Sequence, residues 1–301
     1  MISFLILMGI VICFSAILAL ALNFQWGLGG MVNFGLTGFY ALGAYAAALL
    51  MLKAGANTFV ATLGAMVIVA AACGLVAFVT LRVTEEDYFA IVTLGVGEML
   101  RLVALNEDWL TKGALGLTGV PRPFGAAIAP EYNQYFLFAL AVVLLLATLW
   151  FLNRLARSPF GRLVRAVRED DVVAATLGKN VLWVRVRVFA IGGGIIGLAG
   201  SLHGFYYQYI DPTQFSNIVI AYGFMAVIAG GRGAHRGAIL GAAAVMLLLE
   251  GSRFLKDVIP ALDSDQLAAV RIIIIGAGLI LLLIYRPQGF FREYRLRAAL
   301  K

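Results

Sequence analysis

Histidine and cysteine are almost missing from this chain of 301 residues, which carries two of each. His203 and His235 are too few for a histidine-rich metal or redox centre. Cys13 and Cys73 each lie inside an apolar run, where they read as small packing residues rather than a disulfide or metal site. Charge is scarce too: 13% of residues are charged and 62% are hydrophobic, whereas a soluble domain carries roughly 25% charged residues. Such a chain has too little polar surface for water, and the bilayer is the solvent it fits. No phosphate-binding loop of the Gly-x4-Gly-Lys-Ser/Thr type occurs, nor a catalytic triad or a metal-ligand spacing. The chain is therefore expected to be no enzyme and to bind no metal or cofactor itself. Proline is missing from the apolar runs, because all seven prolines punctuate connections.

What is present is a series of apolar runs. Nine candidate spans can be marked, at about 2–22, 30–51, 58–81, 88–105, 133–152, 186–207, 215–230, 237–255 and 267–285. An all-α, polytopic transmembrane bundle of about nine spans (eight to ten) accounts for the whole chain, 1–301, as one domain. The first run ends in a signal-peptide-like Ala19-Leu20-Ala21, but no charged residue precedes Lys53, so the basic n-region is missing and the run reads as a retained span. The net charge of +7 sits in the connections between runs and calls for no nucleic acid. With alternating spans and a cytoplasmic carboxyl terminus, sixteen basic residues fall inside, eight of them between Arg154 and Arg187, and five fall outside. That asymmetry predicts the N-terminus out and the C-terminus in.

The longest inside connection, about 153–185, holds Ser158 to Asn180. From Arg162 to Leu177 it reads as one helix, with Leu163, Val167, Ala174 and Leu177 as apolar contacts and Gly178 as its stop. The residues leave two readings open: a helix that docks in a groove on a soluble motor, or one that rests on lipid headgroups.

Within the runs, polar groups are few. Asn33, Thr37 and Tyr40 form a stripe at i, i+4 and i+7, suited either to a neighbouring helix or to a translocation path. In 88–105, Thr93, Gly95, Gly97 and Glu98 read as a second candidate stretch of that path, with the helix interrupted at its glycines. The simpler alternative is that Glu98 neutralises itself against Arg101 three residues on. Gly193, Gly197 and Ser201, and Gly233, Gly237 and Gly241, repeat at every fourth position, as close helix packing in lipid requires. His203, Tyr206, Tyr207 and Tyr209 are expected to form an interfacial aromatic belt.

Several segments resemble a known family. Glu169, Ala174-Ala175 and Gly178 look like the Glu-Ala-Ala…Gly coupling loop of bacterial ABC importer permeases, with four residues between Glu169 and Ala174. Gly161-Arg-Leu-Val-Arg-Ala-Val-Arg-Glu-Asp170, Tyr88-Phe-Ala-Ile-Val-Thr-Leu-Gly-Val-Gly-Glu98, Leu117-Thr-Gly-Val-Pro-Arg-Pro123 and the Gly-rich 230–242 resemble the branched-chain amino-acid ABC transporter permease family, in particular its M-type subunits. The resemblance covers roughly 20–290. It implies a permease in a bacterial inner membrane, working with a homologous second permease, two cytoplasmic ATPases that bind ATP and Mg, and an extracytoplasmic binding protein. It also assigns the coupling role to Arg162, Arg165, Arg168, Glu169, Asp170, Ala174, Ala175 and Gly178. Two alternatives stay open: a urea or short-amide importer of the same architecture, and an ion-coupled secondary transporter, for which Glu98 is the acidic candidate.

Overall fold

A computed structural model of the chain describes residues 2–83, 86–123, 129, 132–251, 273, 276–278, 284 and 289–291. Helix α1 (Ile2–Leu22) is uniformly apolar and opens into a wider π-turn over Asn23–Leu28. After an irregular stretch come α2 (Leu36–Leu52) and α3 (Thr58–Thr80). The side chain of Asn57 starts α3 by accepting from the Val60 amide at 2.9 Å, a typical N-cap. Helix α4 (Glu86–Asn106) leads into the short α5 (Asp108–Thr111) and strand β1 (Leu117–Thr118). Then follow α6 (Asn133–Arg157), α7 (Pro159–Glu169), α8 (Asp171–Thr176) and α9 (Val181–Tyr207). Strand β2 (Tyr209–Ile210) pairs antiparallel with β1, Leu117 opposite Ile210, and α10 (Ile218–Gly230) and α11 (His235–Gly251) close the described order.

Among the described residues, five helices are long and apolar enough to cross a membrane: 3–28, 58–80, 88–106, 133–157 and 181–207. Helices α2 and α10 are shorter and apolar. Eight of the nine runs marked in the sequence fall on helices. The ninth, 267–285, lies almost entirely outside the described residues. The run at 30–51 begins late, because 29–35 is irregular and helix starts only at Leu36.

Helices α1, α2 and α9 form the buried centre, with Leu20, Phe39 and Phe189 completely enclosed. Helix α3 packs along α9, α4 along α2, α6 along α1, and α10 against α11. Lipid tails are as apolar as leucine, so burying apolar surface does little to hold helices together there; close backbone approach does. The small residues supply it. A Cβ on Gly43 would stand 2.8 Å from the Cα of Gly197, and one on Gly193 would stand 2.6 Å from the Sγ of Cys73. Cys73 is thus the packing residue expected of it.

Candidate functional site

At one end of the bundle α6 turns sharply into α7. Ser158 takes an extended conformation, its Oγ accepts from the Gly161 amide at 3.2 Å, and Pro159 occupies the first turn. Helix α7 lays Gly161, Val164 and Val167 against the bundle. Arg165 points back, donating to the Ala156 carbonyl at 2.7 Å. The helix expected to run from Arg162 to Leu177 is in fact two. Asp170 leaves helical geometry (φ −157°, ψ 102°), and its carboxylate accepts from the Val173 amide at 2.8 Å, capping a second, short helix. A short side-chain acceptor offers the backbone a local alternative to continuing the helix. Gly178, in left-handed geometry (φ +74°), ends α8 with a bond from its amide to the Ala175 carbonyl at 2.9 Å.

The residues of this hairpin divide by direction. Arg165, Arg168 and Ala174 face the bundle; Arg162, Glu169, Asp170, Ala175 and Gly178 are exposed. Of the expected apolar contacts, Val167 and Ala174 are buried, whereas Leu177 is 71% exposed and Val172 beside it is 69% exposed. With Val173 they form an apolar tip that points away from the chain. Arg185 ties the tip to α9 through Asp171, Nη2 to Oδ2 at 3.1 Å.

Beneath α7 lies a buried polar junction centred on the π-turn. Arg168 donates through Nη1 to the Gly27 carbonyl oxygen, and its aliphatic stem lies against Gly30. Gln25 donates to the Phe189 carbonyl at 3.0 Å and accepts from Asn33 Nδ2 at 2.9 Å. Asn23 donates to Nδ1 of His235 at 3.1 Å and accepts from the Gly233 amide at 2.8 Å, so in this arrangement His235 carries its proton on Nε2. The Phe34 amide is received by Thr93 Oγ1 at 3.1 Å. The junction therefore joins the α7–α8 hairpin to α1, α4, α9 and the turn before α11. Phe189 is eight residues into α9, about 12 Å along its axis at the usual helical rise. Irregular backbone at that depth is stable only when protein or water satisfies it.

Farther along α2 and α9, Tyr40 and Nδ1 of His203 are hydrogen-bonded at 3.0 Å, and Nε2 of His203 meets Gln214 at 3.0 Å. These three, with Phe14, Tyr207 and Glu250, line part of a cavity of about 380 Å³ between α1, α10 and α11. On α4, Glu98 and Arg101 are paired, Nε donating to the two carboxylate oxygens at 3.1 and 3.0 Å.

A family of permease components of branched-chain amino acid transport systems matches residues 1–283. The chain belongs to this family. The LivM permease protein of the high-affinity branched-chain amino acid transport system of Escherichia coli is 31% identical over 95% of this chain and 69% of its own length. The LivH permease protein of the same system and organism is 26% identical, covering 91% and 90%. A probable LivM of Methanocaldococcus jannaschii is 24% identical, covering 92% and 90%. Together with the apolar helices, this makes the permease a multi-pass membrane protein.

The residues read as a translocation path do not form one surface in this permease. Asn33, Thr37, Tyr40, Thr93 and Gly97 are buried inside the chain, whereas Gly95 is exposed and Glu98 partly exposed on the outer side of α4. Asn33 lies in irregular backbone, so the expected helical stripe with Thr37 and Tyr40 is broken. Helix α4 runs unbroken through Gly95 and Gly97; the discontinuity expected there lies at 23–35 instead. Gly97 serves packing, since a Cβ on it would meet the Cα of Gly35 at 2.7 Å. His203 was placed in an aromatic belt by the sequence, but it is buried and bonded on both nitrogens. Only Tyr207 and Tyr209 are well exposed. Gln25, Asn23 and His235 were not singled out by the sequence reading, although polar side chains inside an otherwise apolar stretch were the available signal.

Proposed function

We propose that this chain is one of two permease subunits of an ATP-driven importer that carries branched-chain or similar hydrophobic amino acids across a bacterial inner membrane. Its partners in this reading are a homologous second permease, two cytoplasmic ATPases that bind ATP and Mg, and an extracytoplasmic binding protein. The chain has about nine spans, N-terminus out and C-terminus in, as the placement of its basic residues favours. Two family members, LivM and LivH, are named as permease proteins of one system, which supports a heterologous pair.

The observation that carries the coupling part of this reading is the α7–α8 hairpin. Its apolar tip of Val172, Val173 and Leu177 is exposed, Arg162, Glu169 and Lys179 of the same segment are exposed too, and Arg165 and Arg185 hold the base. Exposed apolar side chains accompanied by exposed charges suit a docking surface for a soluble motor. ATP-driven movement of the motors would shift α7. Arg168 on Gly27 would then carry the displacement into the broken segment at 23–35 and bias the bundle between two states. In this reading Glu98 is already paired with Arg101, which leaves little for an ion-coupled mechanism to use.

Purification from the native host in mild detergent tests the assembly. Recovery of two ATPases and a second permease, lost on Glu169→Arg or Gly178→Pro while the chain still inserts, is the expected result. Recovery of the chain alone, active in liposomes without ATP, would overturn it.

A further inference from the structure

Among the described residues the contacts between the central helices are close at several points. Leu20, Phe39 and Phe189 are fully enclosed between α1, α2 and α9, and the backbones of α2 and α9 approach closely at Gly43 and Gly197. The outer faces of the chain differ in chemistry. The exposed side of α3 carries Phe59, Leu63, Val67 and Leu75, and that of α6 carries Val143, Leu146 and Trp150, all suited to lipid. The exposed side of α4 carries Leu94, Met99 and Leu102 with an ion pair set among them.

That pair does not behave as a lipid-facing accident. The Glu98 side chain is 36% exposed and that of Arg101 24% exposed. Among the described residues neither has another hydrogen-bond partner. Glu98 lies eight residues from the end of α4, about 12 Å deep at the usual rise. An arginine facing lipid extends its head toward the membrane surface, whereas Arg101 turns toward Glu98, deeper in the span. Charges held at such depth face protein or water rather than hydrocarbon. Beside the carboxylate, on the same helical face three residues earlier, Gly95 leaves the surface open: a Cβ there would meet nothing within 4 Å.

We propose that Glu98 and Arg101 recognise the zwitterionic head of the transported amino acid on a route that α4 lines toward the second permease, a proposal that rests on the importer reading above. The ammonium group meets the Glu98 carboxylate, the carboxylate meets the Arg101 guanidinium, and the head approaches over the open surface at Gly95. The internal pair and the zwitterion are each neutral, so exchanging one pair for two leaves no charge unmatched. A simple amine or a simple acid with the same alkyl chain satisfies one partner and strands the other. Leu94, Met99 and Leu102 offer the aliphatic side chain an apolar surface.

The test uses the complete complex with its binding protein in proteoliposomes, and reads labelled L-leucine taken up per ATP hydrolysed. Glu98→Gln, Arg101→Gln and Gly95→Leu are each expected to lower that ratio at least about tenfold, the scale of one lost charged contact. Exchange of the pair (Glu98→Arg with Arg101→Glu) is expected to recover most of it, since a zwitterion can bind in the reverse sense. Gly95→Leu adds no charge and improves helix propensity, so it decides the matter if the charge variants fail to assemble. A ratio equal to wild type in Gly95→Leu, or an exchanged pair that assembles but does no better than the single variants, overturns the proposal. A wild-type complex that hydrolyses ATP yet takes up no leucine counts instead against the amino-acid reading of the transporter.

Discussion

The guanidinium of Arg168, on the α7–α8 hairpin, donates to the carbonyl oxygen of Gly27, inside the π-turn that ends the first helix. The two residues are 141 positions apart in sequence, yet this bond joins the part of the chain that faces outward to the part where the bundle is least regular. A π-turn has weaker hydrogen-bond geometry than an α-helix and is a frequent site of functional distortion.

Arg168→Ala is expected to uncouple rather than unfold. Its removal should cost roughly 0.5–2 kcal/mol of coupling between motor and bundle, read as fewer leucine molecules moved per ATP by a complex that still assembles. Arg168→Lys, which keeps the charge but not the reach and fork of the guanidinium, should lie between the two. Equal transport per ATP in Arg168→Ala and wild type would rule out this bond as the link.

The exposed tip of α8 makes a different prediction. Val173→Asp and Leu177→Asp change surface residues and should alter the stability of the isolated permease by no more than about 0.5 kcal/mol. ATPase binding should fall sharply, because a charge placed at the centre of an apolar contact costs on the order of 2 kcal/mol or more. Co-purification of the ATPases, measured beside the thermal midpoint of the permease alone, separates the two effects.

Asp170 is expected to hold α8 together. Asp170→Ala removes the cap on Val173 and should cost about 1 kcal/mol of local helix stability, whereas Asp170→Ser should keep most of it. Amide hydrogen exchange over 172–177 is the direct readout. A faster rate confined to α8 is the expected pattern.

Two glycines two positions apart on α4 should behave oppositely. Gly97→Leu drives a side chain into Gly35 and Gly38 and should destabilise the α2–α4 contact by about 1–3 kcal/mol or prevent folding. Gly95→Leu meets open space and should leave the thermal midpoint unchanged or raised, since leucine favours helix by about 0.8 kcal/mol over glycine. Similar melting of the two variants would show that α4 is rotated from the orientation described.

The sequence shows both glycines in the same words, and this marks the limit of what it makes legible. Hydropathy and the confinement of proline to connections located the helices, because a segment in lipid must satisfy its backbone internally whatever its neighbours are. Gly178 was legible as a helix stop because left-handed geometry excludes most other residues. The break at Asp170 was available from the same kind of local rule, yet the apolar periodicity on either side of it masked the signal.

Direction and partnership were not available. Whether Gly97 packs and Gly95 faces outward depends on which neighbour α4 meets. Whether Leu177 turns inward or projects depends on how α8 pivots at Asp170. His203 became a buried bridge between Tyr40 and Gln214 rather than a member of a surface belt because α2 and α9 approach closely at Gly43, Gly197 and Gly200. The chain's own residues therefore determined that it is a helical membrane protein and where its helices run, since each helix answers to the bilayer separately. Only the tertiary structure decided which polar side chains are enclosed and which remain for a partner or a solute, because that depends on contacts between segments far apart in sequence.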